Sequence, residues 1–184
     1  MGTATTTTAG AHTGLARGKY LLFSLDKEQF GLTVQQVREI VGLHPITAVP
    51  HMPEFVRGVI NLRGKLIPVF DLRLRFGLAQ REYESRTCTI VVEAKGRRGG
   101  SRLVGLVVDE VSEVVEISED AMEGPPAAPG GSQRRYVRGL AKLAGGVCVL
   151  LAIDELVAVS DFDDALQPGA DLLTGEEVDE ISDE

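Results

Sequence analysis

Part of this chain occurs twice. Gly31-Leu32-Thr33-Val34-Gln35-Gln36-Val37-Arg38-Glu39-Ile40-Val41 returns 74 positions on as Gly105-Leu106-Val107-Val108-Asp109-Glu110-Val111-Ser112-Glu113-Val114-Val115, with six of eleven residues identical. Val56-Arg57-Gly58-Val59-Ile60-Asn61-Leu62-Arg63-Gly64 returns 81 positions on as Val137-Arg138-Gly139-Leu140-Ala141-Lys142-Leu143-Ala144-Gly145, with five of nine identical. Two blocks repeated in one order at nearly one offset imply a duplicated unit. Two copies of this length give two small subdomains rather than a solenoid.

The formal charge of −8 belongs to one end. Residues 161–184 carry ten acids and no Lys or Arg, leaving 17 acids against 19 bases elsewhere. Such a tail is expected to be solvated and disordered, and the Thr/Ala/Gly-rich leader 1–18 likewise. Residues 1–16 and about 164–184 are expected to be dispensable for binding. The acidic balance argues against a tight nucleic-acid binder, whose affinity comes largely from phosphate contacts. Cys88 and Cys148 stand in apolar runs without disulfide or metal spacing, and read as buried strand residues in a reducing compartment. The leader lacks the apolar stretch of a signal peptide, and no segment approaches the roughly 20 apolar residues of a membrane span. A cytoplasmic location is expected.

Short apolar segments joined by Gly-rich turns predict hairpins. These are Leu21–Leu25 with Phe30–Val34, Val59–Leu62 with Lys65–Leu72, Cys88–Glu93 with Leu103–Val108, and Tyr136–Leu143 with Val147–Ile153. Thr33 and Gln36 have capping-box spacing, which favours a short helix carrying Val34, Val37, Ile40 and Val41 on one face. The β-branched residues allow a strand instead. Ile46–Val49 is expected to be a brief strand, Pro53–Gly58 a helical turn, Pro68 an edge or bulge, and Asp154 a helix cap. Residues 123–133, rich in Pro and Gly, are an irregular loop. The pattern is mainly β: two small β-barrels with a few short helices.

The inventory of reactive groups is poor. His12 lies in the leader, while His44 and His51 have no nucleophile, carboxylate or metal partner at useful spacing, so all three read as surface residues. Gly14–Tyr20 resembles a phosphate loop, yet it is one residue short between its glycines and lacks the terminal hydroxyl. No catalytic residue, metal site or cofactor is expected. Comparing the copies is more informative: Gly58/Gly139, Leu62/Leu143 and Gly64/Gly145 agree and read as turns and core. Arg57/Arg138 and Glu39/Glu113 also agree, which favours shared structural roles. Arg63 and Lys65 face Ala144 and Gly146, so only one hairpin tip is cationic.

Val37-Arg38-Glu39-Ile40, the turn from Pro53 to Gly58, Asn61-Leu62-Arg63-Gly64, Ile67-Pro68-Val69-Phe70-Asp71-Leu72-Arg73 and Val104–Asp109 together resemble the CheW family of chemotaxis adaptors. The resemblance runs from about 19 to 160. It implies two interleaved five-stranded barrels of SH3-like or OB-like type, no enzymatic activity, and no cofactor. It also implies coupling of methyl-accepting chemoreceptor tips to the regulatory domain of the histidine kinase CheA, in arrays at the inner face of the membrane. By carry-over, Val37, Glu39, Ile40, Gly58, Arg63, Thr87 and Thr89 match positions near the groove where a receptor helical hairpin docks. Ile46, Met122, Glu123 and Pro125 fall in regions that meet the kinase. A protein that uses its apolar faces between its own barrels is expected to be monomeric when alone. The alternatives are a CheW-like scaffold of a non-chemotactic array, such as one regulating pili, and a nucleic-acid-binding barrel using Arg97, Arg98 and Arg102. An enzyme is the remaining possibility, and a fused kinase or receiver module does not fit the length.

Overall fold

The structure is a computed structural model that describes residues 15–96, 99–125 and 135–158. Its strands are β1 (Gly18–Leu25), β2 (Glu28–Thr33), β3 (Val37–Val41), β4 (Val56–Leu62), β5 (Lys65–Asp71), β6 (Cys88–Lys95), β7 (Ser101–Val108), β8 (Glu110–Ile117), β9 (Met122–Glu123), β10 (Val137–Leu143) and β11 (Gly146–Leu151). Two one-turn helices, α1 (Leu72–Arg75) and α2 (Ile153–Leu156), follow β5 and β11. All four expected hairpins form.

The strands make two sheets, ordered β8-β1-β2-β11-β10-β9 and β3-β6-β7-β5-β4. Each sheet mixes the two repeats. The first takes β1 and β2 from the early copy with β8, β9, β10 and β11 from the late one; the second takes β6 and β7 from the late copy with β3, β4 and β5 from the early one. Registers repeat as well as strands. The parallel pair β11/β2 sets Leu150 against Gly31, and the parallel pair β5/β7 sets the equivalent Val69 against Gly105.

Packing follows the same rule. One sheet buries Leu22, Ala141, Cys148 and Leu150 in a core of its own, while the other buries the equivalent Val91, Ile60, Ile67 and Val69. Cys148 therefore occupies the place of an isoleucine. A larger cluster, including Phe23, Phe30, Phe70, Leu72, Ile90, Leu106, Leu151 and Ile153, joins the two sheets. Arg75 is clamped in that seam, its guanidinium 4.3 Å from the Phe55 ring centre and 4.5 Å from that of Tyr136. Such contacts suit a desolvated cation, and burial lowers the Arg75 pKa.

Glycine admits a crossing backbone in both copies. A Cβ on Gly58 would lie 2.0 Å from the Thr47 carbonyl oxygen, and one on Gly139 would lie 2.5 Å from that of Glu123. The crossing segments pair at equivalent places, Thr47 with Val59 and Glu123 with Leu140.

Several local expectations are corrected. Thr33 does not start a helix across 34–41: a single 3-10 turn, Val34–Gln36, leads into β3. The Thr33 hydroxyl donates to Gln36 Oε1 at 2.9 Å rather than capping a backbone amide, and the β-branched residues then pair with β6. Ile46–Val49 is no strand, only the Thr47 bridge. Pro53 starts no helix; one turn, closed by Val56 N–H on the Pro53 carbonyl at 2.9 Å, enters β4, which contains Gly58. Pro68 stands on an interior strand, tolerated because pairing to β7 begins only at Val69. Asp154 lies inside α2 and accepts from Lys95 N–H at 2.8 Å; the capping aspartate is Asp71, which accepts from the amides of Arg73 and Leu74 at the start of α1. Cys148 is buried as expected, whereas Cys88 is half-buried at the start of β6. Residues 1–14, 97–98, 126–134 and 159–184, and with them Arg97, Arg98, most of the 123–133 loop and the acidic tail, lie outside the described residues.

Candidate partner-binding surface

The tip between β4 and β5 is a two-residue turn in which Arg63 and Gly64 both take positive φ, +53° and +82°. That is the backbone a tight hairpin needs, and Asn61 Oδ1 steadies it by accepting from Gly64 N–H at 2.9 Å. The turn directs Arg63 toward β3. Its guanidinium donates to Glu39 Oε1 and Oε2, both at 2.8 Å. Strands β3 and β4 are the outer members of their sheet, so this fork joins its two ends. Arg63 is 76 % exposed and Glu39 27 %, leaving much of the guanidinium available to a further acceptor.

Beside this pair lies apolar surface. Ile40 is 44 % exposed on β3, and Leu43 just beyond it is 40 % exposed. Val37 is half-buried and packs on the shared core. Arg38, on the same strand, pairs with Glu93 of β6, and hydrogen bonds from Ser101 and Arg38 lower the Glu93 pKa.

The other candidates are placed differently. Gly58 is buried and has no side chain to offer; its φ of +136° and the crossing Thr47 carbonyl account for it. Thr87 and Thr89 are buried. The Thr87 hydroxyl accepts from Glu84 N–H at 2.8 Å, and the Thr89 methyl fills the space over Gly105. These three shape the strands beneath the surface, while Val37, Glu39, Ile40 and Arg63 form the surface itself. Ile46 and Met122 occupy equivalent places in the two crossing segments, each half-buried against its own sheet's core. Glu123 and Pro125 are exposed, and Glu123 pairs with Lys142 at 2.5 Å.

Sequence reasoning passed over Leu43 and three further exposed apolar residues: Leu66 at 69 %, Val114 at 51 % and Val147 at 55 %. The repeat was the available signal, because Val114 is the counterpart of Ile40 and Val147 of Leu66. Two corrections also emerge. Glu39 and Glu113 do not share a role: Glu113 is exposed and has no ion pair among the described residues, since Ala144 stands where Arg63 would be. Arg102 is not part of a solvent-facing basic strip; it turns inward and donates to the Val157 carbonyl at 2.8 Å. Among the described residues no group of His, Cys, Asp and Glu is arranged to hold a metal ion.

Two sheets that each combine strands of both repeats, with a few apolar residues exposed at outer strands and hairpin tips, define a doubled β-scaffold suited to binding other proteins. The chain belongs to the family of CheW-like domains, whose family model matches residues 19–161. It is 33 % identical over 150 residues to the chemotaxis protein CheW of Rhizobium meliloti, covering 82 % of this chain and 94 % of that one. The chemotaxis protein CheW of Klebsiella aerogenes is 32 % identical over 140 residues, 76 % of this chain and 81 % of its own. The crystal structure of the scaffolding protein TtCheW from Thermoanaerobacter tengcongensis matches with a TM-score of 0.70 and 38 % identity, covering 78 % of this chain and 94 % of that one.

Proposed function

We propose that this chain is a non-enzymatic chemotaxis adaptor that couples methyl-accepting chemoreceptors to the histidine kinase CheA. The observation that carries the reading is the surface at β3, where exposed Ile40 and Leu43 lie beside the Glu39–Arg63 fork, in a chain whose family is that of the CheW scaffolds. Apolar side chains beside a partly exposed Arg are the ingredients of an interface anchor for an amphipathic helix. Val37, Glu39, Ile40 and Arg63 would meet the receptor's helical hairpin, with Gly58, Thr87 and Thr89 setting the strand geometry behind them. Ile46, Met122, Glu123 and Pro125, on the two crossing segments, would meet the kinase regulatory domain. Residues 19–160 would carry both contacts. No helix among the described residues is long and apolar enough to cross a membrane, so array association would come through the receptors.

The test is binding of the purified chain to a receptor signalling fragment and to the CheA regulatory domain of the same organism, singly and together. Binding to both, with Ile40→Asp abolishing the receptor contact and sparing the kinase contact, is the expected result. Failure to bind either partner refutes the adaptor reading.

A further inference from the structure

A cleft of about 330 Å³ opens between the start of β1, the 3-10 turn and β10. None of the residues assigned above to receptor or kinase lines it. Among the described residues its walls hold three cations, Arg17, Lys19 and Arg138, and no carboxylate. Arg17 is held by Glu116 at 2.8 Å, whereas Lys19 and Arg138 have no carboxylate partner among the described residues. Lys19 is exposed and Arg138 half-buried.

The repeat shows what the equivalent place holds in the other copy. Tyr20 pairs with Thr33 as Thr89 pairs with Val107, so Gly18, Thr33 and Gln35 of the cleft stand where Thr87, Val107 and Asp109 stand in the other repeat. Those three line a space of only about 20 Å³. Tyr83 stands in its wall, with its hydroxyl donating to the buried Asp71 Oδ2 at 3.3 Å, and Arg57, the counterpart of Arg138, lies near enough to lower the Tyr83 pKa. Asp109 adds a second carboxylate, paired with Arg73 at 2.5 Å. The late copy keeps the arginine and loses both acids. Asp71 N–H donates to the Phe55 carbonyl at 2.7 Å and Ala152 N–H to the equivalent Tyr136 carbonyl at 2.8 Å, which makes Ala152 the counterpart of Asp71; Gln35 replaces Asp109. Arg138 keeps the Tyr20 phenol as a neighbour, and that hydroxyl already donates to the Ala16 carbonyl at 3.1 Å. An arginine partly withdrawn from water gains most from a fixed anion, and here the chain places none.

We propose that this cleft binds the phosphate group of a small phosphate monoester, with Arg138 and Lys19 donating to its oxygens. Two cations without a carboxylate between them suit a dianion better than a single carboxylate charge, and the planar guanidinium fork matches phosphate oxygens. A volume of about 330 Å³ lies at the small end of ligand sites, which run from about 300 to 1,000 Å³, and so fits a monoester. A soluble ester and a phosphatidic acid headgroup offer the same chemistry. The site stands apart from the β3 surface and does not rest on the adaptor reading.

The test titrates the full-length chain with glycerol 3-phosphate at constant ionic strength while following backbone amide shifts, and in a second arm sediments it with phosphatidylcholine vesicles containing phosphatidic acid. Saturable shifts concentrated at Gly18, Lys19, Tyr20, Gln35 and Arg138, with Arg57 and Tyr83 unmoved, are expected in the first arm. Lys19→Gln and Arg138→Gln should each weaken binding about tenfold, as for loss of a charge-assisted hydrogen bond. Arg138→Lys should recover part of that loss, and Lys65→Gln, which removes a cation outside the cleft, should change nothing. Saturation by glycerol 3-phosphate assigns the site to a soluble ester; binding to the vesicles alone, lost in the same two variants, assigns it to a lipid headgroup. Binding in neither arm overturns the proposal. So do shifts spread over the basic residues without saturation, the same shifts from sodium chloride, or indifference to either folded Gln variant. Lys19 is exposed, so Lys19→Gln decides the matter if Arg138→Gln fails to fold.

Discussion

Replacing Arg63 by Asn separates binding from folding at the hairpin tip. The substitution removes the fork of two 2.8 Å hydrogen bonds to Glu39. With Arg63 76 % exposed, that pair contributes only about 0.2–1 kcal/mol to folding, because water competes for both charges. The backbone works in the opposite direction. Arg63 sits at φ +53°, a conformation that costs an ordinary residue about 1 kcal/mol and that Asn tolerates better. The two effects nearly cancel, so urea unfolding should move by less than about 0.5 kcal/mol. Binding has no such compensation. An interface Arg anchor is worth about 1–3 kcal/mol, or roughly five- to 150-fold in Kd, and that is the loss expected against a receptor signalling fragment by anisotropy titration. Glu39→Gln completes a double-mutant cycle. If Glu39 serves to aim the guanidinium, it should weaken binding alone and add little on top of Arg63→Asn. Destabilisation beyond about 2 kcal/mol would make the fork a strut of the sheet, and unchanged affinity for both partners would remove Arg63 from the interface; either result refutes the reasoning.

The two crossing glycines should differ in cost. Gly58→Ala combines a positive φ with a 2.0 Å clash against backbone and should destabilise by about 3 kcal/mol or more, whereas Gly139→Ala meets its carbonyl at 2.5 Å without that φ and should cost about 1–3 kcal/mol. Equal melting-temperature losses would contradict this. Burial pushes the Cys148 thiol up to about 11 from 9.0. The neutral thiol is thus favoured in the folded state, and its contribution is complete below about pH 9 and lost as pH rises toward about 11, at most about 3 kcal/mol in all. Cys148→Val should flatten that alkaline decline in a pH series of urea unfolding, and a decline identical in the variant would assign it elsewhere. Deleting residues 1–14 and 161–184 should leave receptor and kinase affinity unchanged, and the intact chain should scatter light as a monomer; a stable dimer would argue that an outer strand pairs between copies.

Hairpins were legible because alternation and turn chemistry are local. Their assembly was not. Nothing in Val37–Val41 says that it pairs with β6 of the other repeat instead of β2 beside it, and the interleaving was expected only through the family resemblance. The segment 34–41 misled because Val34, Val37, Ile40 and Val41 fit a helical face while their β-branched side chains fit a strand, and pairing with β6 decided the matter. Pro68 misled because the rule against interior proline concerns a lost ladder bond, and the β7 ladder starts one residue later. Leu66 was invisible for another reason: Leu66–Phe70 is apolar at every position, so alternation cannot tell its exposed face from its buried one. The Glu39–Arg63 fork spans 24 residues and two outer strands, a relation no periodicity expresses. Thr87 and Thr89 look like surface residues by type, yet they are buried, Thr87 with its hydroxyl satisfied by the Glu84 amide.

The repeat explains why the surface is less symmetric than the core. Core positions are constrained by the strand exchange itself: Val69 against Gly105 and Leu150 against Gly31 must both fit, because each parallel pair joins strands from different copies. A change at either glycine would disturb a sheet built from both repeats, and a Cβ at Gly105 would already meet Thr89 at 2.8 Å. Outer strands and hairpin tips carry no such mutual constraint. There Glu39 has Arg63 while Glu113 has only Ala144, and Arg57 lies near enough to Tyr83 to lower its pKa while Arg138 opens on a cleft. Exposed apolar residues nevertheless persist in pairs, Ile40 with Val114 and Leu66 with Val147. Shared apolar positions leave both halves an exposed apolar patch, and the unshared charges make the two patches chemically different.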